Sequence, residues 1–136
     1  MDAATERLVR KRAAGRCEYC RLPQNWSRVP FELDHIIPRK HRGRTVAGNL
    51  ALACYYCNVY KGPNLSGLDP ATGKLTRLFH PRRHQWHYHF RFDGSTLTGR
   101  TAIGRTTVYV LQMNHPQMVA LRDILIAGGV FLPTWA

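Results

Sequence analysis

A small α+β domain is the fold class that the sequence predicts, on three observations. Runs of strand length and character recur at 31–37, 50–53 and 85–92. Helix start and stop signals bracket 5–14, 103–112 and 116–127, and all four cysteines fall into two Cys-x-x-Cys pairs. At 136 residues the chain has about the size of one core, so a single domain over 1–136 is expected, and its 44% hydrophobic content excludes a wholly disordered chain. No apolar run approaches the ~20 residues that would span a bilayer. Met1 to Arg7 carries no apolar stretch of the kind a secretory leader needs, which predicts a cytoplasmic protein whose thiols stay reduced.

Each element has a local reason. Residues 5–14 place Leu8 and Val9 among basic residues and run into Ala13-Ala14-Gly15, a short basic helix with Thr5 as N-cap and Gly15 near its C-cap. Pro23 and Pro30 bound a loop. Phe31 to Ile37 alternates as a strand, with Phe31, Leu33 and His35 on one face; Leu50 to Ala53 is a second strand. A helix starts near Tyr55, carries Cys57, Asn58 and Lys61, and stops at Gly62-Pro63. Residues 62–74 read as loop. From Gln85 to Phe92 the pattern has period two, a strand with Trp86, Tyr88, Phe90 and Phe92 on its apolar face and His87, His89 and Arg91 on the other. Asp93-Gly94 turns the chain into Thr96-Leu97-Thr98 as a hairpin. In the last helix Pro116 suits the first position, Arg122 and Asp123 read as a polar side, and Gly128-Gly129 end it.

The pairs Cys17/Cys20 and Cys54/Cys57 are the strongest spacing signal. Two residues between thiols let both sulfurs reach one ion at ~2.3 Å, and two such pairs complete a tetrahedral four-cysteine zinc site. A redox pair needs only one such motif, and a reducing compartment disfavours disulfides. Four thiolates leave no open coordination position, so this zinc is structural. Arg16 and Arg21 flank the first pair and offset part of the thiolate charge.

Twenty Lys plus Arg against eight Asp plus Glu leave a formal +12, and sixteen of the twenty are arginines. Arginine forks match phosphate oxygens, so nucleic acid is the expected partner rather than a membrane surface. The charge is spread along the chain and is not a detachable tail.

Between the cysteine pairs lie Asp34-His35 and then Asn49; Asn58 directly follows Cys57. Asp-His-Ile-Ile-Pro, Asn-Leu-Ala-Leu-Ala-Cys-Tyr-Tyr-Cys-Asn and Lys-Gly together resemble the HNH endonucleases, in particular those whose ββα-metal motif is braced by a four-cysteine zinc. The resemblance covers residues 17–62, with 75–136 as an extension. It implies a strand, strand, helix core of treble-clef type and metal-dependent hydrolysis of phosphodiesters in DNA, with little sequence specificity. Asn49 corresponds to the middle family residue, whose amide orients the loop carrying the base. Asn58 stands where the commonest pattern has a second histidine, a His-Asn-Asn form that the family also contains.

The residue types suit that chemistry. A neutral imidazole titrates near physiological pH, which fits His35 as base for the attacking water. A divalent cation held by Asp34, and reached by Asn58, would act as Lewis acid and template. Two oxygen donors favour Mg²⁺ or Mn²⁺ over softer ions. Adjacent strand residues point to opposite faces, so Asp34 and His35 can share a site only if the strand ends or twists there. Lys61 lies either near the phosphate or in solvent at a helix end. Arg39, Lys40, Arg42 and Arg44 lie between His35 and Asn49 and are read as DNA phosphate contacts. His80, His84, His87 and His89 show no known ligand spacing, and the aromatics of 86–92 are read as core. The alternative function is a non-catalytic zinc module that binds nucleic acid.

Overall fold

A computed structural model of the chain describes residues 1–131; the last five residues of the expected extension lie outside the described residues. Helix α1 (Ala3–Ala13) is capped by Asp2, whose carboxylate accepts from Thr5 N at 2.7 Å. The cap is therefore Asp2, not Thr5, because the side chain three residues upstream reaches the orphan N–H of the first turn. Ala14 and Gly15 follow at φ 54 and 73, the left-handed geometry that stops the helix. Arg10, Lys11 and Arg12 in the last turn complement the helix dipole. Arg12 also reaches across to Ala47 O and Leu50 O, both at 2.8 Å.

Strand β1 (Glu32–His35) pairs antiparallel with β2 (Leu50–Ala53), His35 lying opposite Leu50 and Asp34 opposite Ala51. All four β2 residues are buried, so this strand is covered on both faces. β1 is shorter than the predicted 31–37. Ile36 N donates to Asn49 O and Ile37 N to Asn49 Oδ1, so after His35 the chain bonds to a turn instead of a strand. Cys54 caps helix α2 (Tyr55–Lys61), its sulfur accepting from Cys57 N, and Gly62 ends the helix. The predicted strand, strand, helix order is present.

The stretch predicted as loop at 62–74 contains a strand, β3 (Ser66–Leu68), which pairs with β4 (Leu75–Arg77). Leu68 and Leu75 are both exposed, so no hydrophobic alternation announces this hairpin. It is held from outside. Asp69 is fully buried, accepts from Ala71 N and Thr72 Oγ1, and receives both arms of the Arg105 guanidinium at 3.0 and 2.8 Å. That pairing holds the Asp69 carboxyl well below the usual carboxylate range.

The predicted strand at 85–92 is replaced by a single helical turn, α3 (Trp86–His89), followed by β5 (Phe90–Asp93), which forms the expected hairpin with β6 (Thr96–Gly99). In the helical turn Trp86 and Phe90 fall on the same side, with ring centroids 5.1 Å apart, and Trp86 Nε1 donates to Tyr19 O at 2.7 Å. Tyr88 is thrown outward at 69% exposure, and His89 turns inward to bond Thr101 Oγ1 at 2.6 Å. Period two was satisfied by composition, but tertiary contact with the first cysteine pair favours the turn. His80 is likewise buried; its Nδ1 accepts from Arg82 N, and His84 Nδ1 accepts from His80 N, so these rings hold a chain corner.

Helices α4 (Ala102–Val110) and α5 (Pro116–Ala127) sit close to their predicted places, with Pro116 at the start of α5. Gly104 lets α4 approach α3, since a Cβ there would lie 2.0 Å from His89 O. Arg122 is not on a polar side. It is fully buried and donates to Ser95 O, Met113 O and Asn114 Oδ1. One cluster of buried apolar residues runs from Ala13 through the cysteines to Phe131. Among the described residues no helix is long and apolar enough to cross a membrane.

Candidate active site and cysteine cluster

The four cysteine sulfurs lie within 4.8 Å of one another and all four residues are buried. Cys20 Sγ and Cys54 Sγ are 3.7 Å apart, matching the ~3.8 Å edge of a tetrahedron with metal–sulfur bonds of about 2.3 Å. Cys20 N donates to Cys17 Sγ and Cys57 N to Cys54 Sγ, so each pair folds back on its own sulfur. Hydrogen bonds from the other three thiols push Cys20 well below its ordinary range, while the same bonds and burial push Cys54 and Cys57 up. Four buried thiols so close together can all ionise only around a cation that neutralises them, which suits zinc. Besides Arg16, next to Cys17 in the chain, Arg21 and Arg122 lie near this charge. Arg21, at φ 68 and against the Trp86 ring, is the other flanking one; Arg122, from α5, is the one the sequence did not suggest.

Beside the cluster an open cleft of about 310 Å³ is lined by Asp34, His35, Asn58, Arg39, Lys40 and Pro63, among others. β1 delivers Asp34 and His35, and its end at His35 lets both reach one site. α2, pinned by Cys54 and Cys57, delivers Asn58, whose side chain has no hydrogen-bond partner among the described residues. Asp34 is 6% exposed, with Oδ2 accepting from Tyr19 at 2.7 Å and from Lys61 Nζ at 3.1 Å. Burial pushes its carboxyl above the usual range; Lys61 and Tyr19 pull against that shift.

Lys61 is 1% exposed, neither solvated nor on the cleft surface. Its ammonium bridges the Asp34 carboxylate and His35 O, the latter at 2.9 Å, and the residue also lines a neighbouring depression with Ser66 of β3 and Arg77 of β4. His35 Nε2 lies 2.8 Å from Thr45 Oγ1. Burial, followed by Arg39 and Lys61, lowers the His35 pKa from the ordinary 6.5, with Asp34 opposing.

Asn49 stays behind the cleft wall. Its Oδ1 accepts from Ile37 N, and its Nδ2 donates to Ile37 O and Arg44 O, closing the 37–49 loop from within. Gly43 packs into that closure, where a Cβ would lie 1.6 Å from Ile37 O. Of the four basic loop residues, Arg39 and Lys40 line the cleft, whereas Arg42 and Arg44 line a separate depression. Tyr19 and Thr45 are the site residues that sequence reasoning missed. Tyr19 carried a weak signal as the aromatic inside the first cysteine pair; Thr45 carried none.

Residues 17–64 match the family described as HNH endonuclease. No curated protein and no solved structure is detectably similar to the chain.

Proposed function

We propose that the chain is a metal-dependent endonuclease that hydrolyses phosphodiester bonds of DNA, with His35 as general base and one divalent cation held by Asp34 and Asn58. The observation that carries this reading is the convergence of Asp34, His35 and the unpartnered Asn58 amide on one open cleft in an HNH-type segment.

The residues fit such a cation. A carboxylate has about four lone-pair sites, of which Tyr19 and Lys61 occupy some and leave others for a ligand. One carboxylate and one amide oxygen form a hard donor pair suited to Mg²⁺ or Mn²⁺, and the Lys61 ammonium beside them keeps the affinity modest. Bound there, the cation would supply Lewis-acid stabilisation of the scissile phosphate and its leaving oxygen.

The protein side of the reaction is a matter of orientation. When His35 donates Nε2–H to Thr45, its Nδ1 keeps the free lone pair, and that nitrogen takes the proton of the attacking water. The lowered pKa keeps the ring neutral at working pH. Lys61 ties the His35 carbonyl to the Asp34 carboxylate, fixing the end of β1, and Asn49 holds the loop that Thr45 and Arg39 stand on. Arg39 and Lys40 on the cleft rim bind the flanking phosphates. One domain spans the two halves, and the cysteine cluster holds structural zinc that pins the helix bearing Asn58.

The alternative, a non-catalytic zinc module that binds nucleic acid, is favoured by one observation. Lys61 already gives Asp34 a cationic partner, as a structural ion pair would. Nicking of supercoiled plasmid by purified protein, with and without Mg²⁺ or Mn²⁺, separates the two. Metal-dependent nicking that is lost in His35→Ala, with zinc content and DNA binding retained, is the expected result. Binding without nicking in any divalent metal would establish the module instead.

A further inference from the structure

The depression that takes Arg42 and Arg44 has a volume of about 320 Å³, and its wall is completed from the extension by His80, Arg82 and Arg83. Four arginines line it and no acidic residue does. Only Arg82 has an acidic partner, Glu18, and its Nε is buried without a hydrogen bond. The guanidinium groups of Arg42, Arg44 and Arg83 have no hydrogen-bond or ion-pair partner among the described residues.

This concentration of charge sits on a stiff frame. Arg42 is held at φ 69, a left-handed conformation that a non-glycine residue adopts at a cost, by Arg42 N donating to Arg39 O and by the Asn49 closure next to it. On the other wall the His80 ring is locked by Arg82 N. Burial, and after it Arg83, His84 and Arg77, drive the His80 pKa down to about 4, so this ring stays neutral and accommodates the cations around it. Like charges gathered in a rigid concavity repel one another and raise the energy of the free protein, and a bound anion relieves that repulsion. Planar guanidinium forks around a small depression match phosphate oxygens in particular.

We propose that this depression is a second phosphate pocket for the DNA backbone, distinct from the cleavage cleft and built jointly by the 37–49 loop and the 80–83 corner of the extension. The identity of the polyanion rests on the nuclease reading; the pocket itself rests on its four arginines. With Arg39 and Lys40 facing one side of the loop and Arg42 and Arg44 the other, the duplex backbone is gripped on both flanks of the loop.

The test uses full-length His35→Ala protein, which leaves DNA intact, and a labelled duplex titrated at increasing NaCl. Adding Arg44→Ala and Arg83→Ala should flatten the slope of log K against log salt by about 1.8 units, at about 0.9 per phosphate contact, equally on two unrelated sequences. Arg82 is left in place because it holds Glu18. If the double variant melts early, Arg83→Gln alone is read in the same way, with about half the change. An unchanged slope in the variants over a steep slope in the parent would overturn the pocket while leaving the nuclease reading standing. A flat slope in the parent would remove DNA as partner and overturn both. A loss confined to one of the two sequences would overturn the phosphate assignment in favour of base readout.

Discussion

In residues 17–62 three buried polar groups, Asp34, Lys61 and Asn49, serve one cleft or the loop that walls it, while a fourth, Glu18, holds β2 and Arg82. In residues 66–131 Asp69, His89 and Arg122 are just as buried, yet each holds a separate joint: a hairpin to α4, α3 to Thr101, and α5 to the chain around Ser95 and Met113. Two buried cations make the contrast concrete. Lys61 sits on a carboxylate that faces the cleft, whereas Arg122 hydrogen-bonds only carbonyl and amide oxygens and lies near the cysteine cluster. Burial of a polar group thus does not by itself mark a functional site; convergence with other such groups on accessible space does.

Breaking the first region at its root should have the largest effect. Cys57→Ser removes one ligand from a site whose zinc is worth on the order of 10–16 kcal/mol in small domains, and it also loosens the start of α2. The variant should fail to reach a folded state, read by circular dichroism and zinc stoichiometry; a full zinc complement and an unshifted melt would refute the cluster as a zinc site.

The two buried cations sharpen the comparison next. Lys61→Met strands Asp34 and should cost about 3–5 kcal/mol. The carboxyl, already raised in the folded protein, then rises further above its unfolded value, so the folded state holds the proton longer. Part of the lost stability should therefore return as pH falls through the carboxylate range, and denaturant melts at several pH values read this out. Arg122→Met should cost less, about 1–3 kcal/mol for a stranded acceptor, while the activity of the folded fraction stays unchanged. If Arg122→Met abolished nicking in fully folded protein, the division between the two regions would fail.

Smaller effects test the orientation of His35. Thr45→Val should lower the nicking rate about tenfold, or about 1.4 kcal/mol, and Thr45→Ser should restore it. The pH profile should show the least change. On the proposed reading the neutral His35 ring is the base, and its pKa is lowered, so the acid limb of the rate profile should lie below pH 6.5. Arg39→Ala removes one of the charges that lower it and should move the limb upward. A limb that stays put in that variant would argue against His35 as the titrating base.

The amino-acid sequence alone determined the four-cysteine framework and the order of the core, because Cys-x-x-Cys spacing, Asp34-His35 within a strand run and the Gly62-Pro63 stop are local signals. They act over a few residues and are readable there. Asn49 was legible in the same way through its motif, and in the fold it hydrogen-bonds Ile37 and Arg44. Tertiary structure decided the rest. The 85–92 segment satisfied a strand period in composition, yet in the fold Trp86 starts a helical turn and donates to Tyr19 O, a partner 67 positions away. Whether a cation is solvated, a reading that pattern alone allows for Lys61 and Arg122, depends on what a distant segment places over it. The same holds for the split of one basic loop into two faces, since Arg82 and Arg83 reach Arg42 and Arg44 only when the extension folds back. Burial and long-range pairing are properties of the packed chain, and no window of sequence contains both partners.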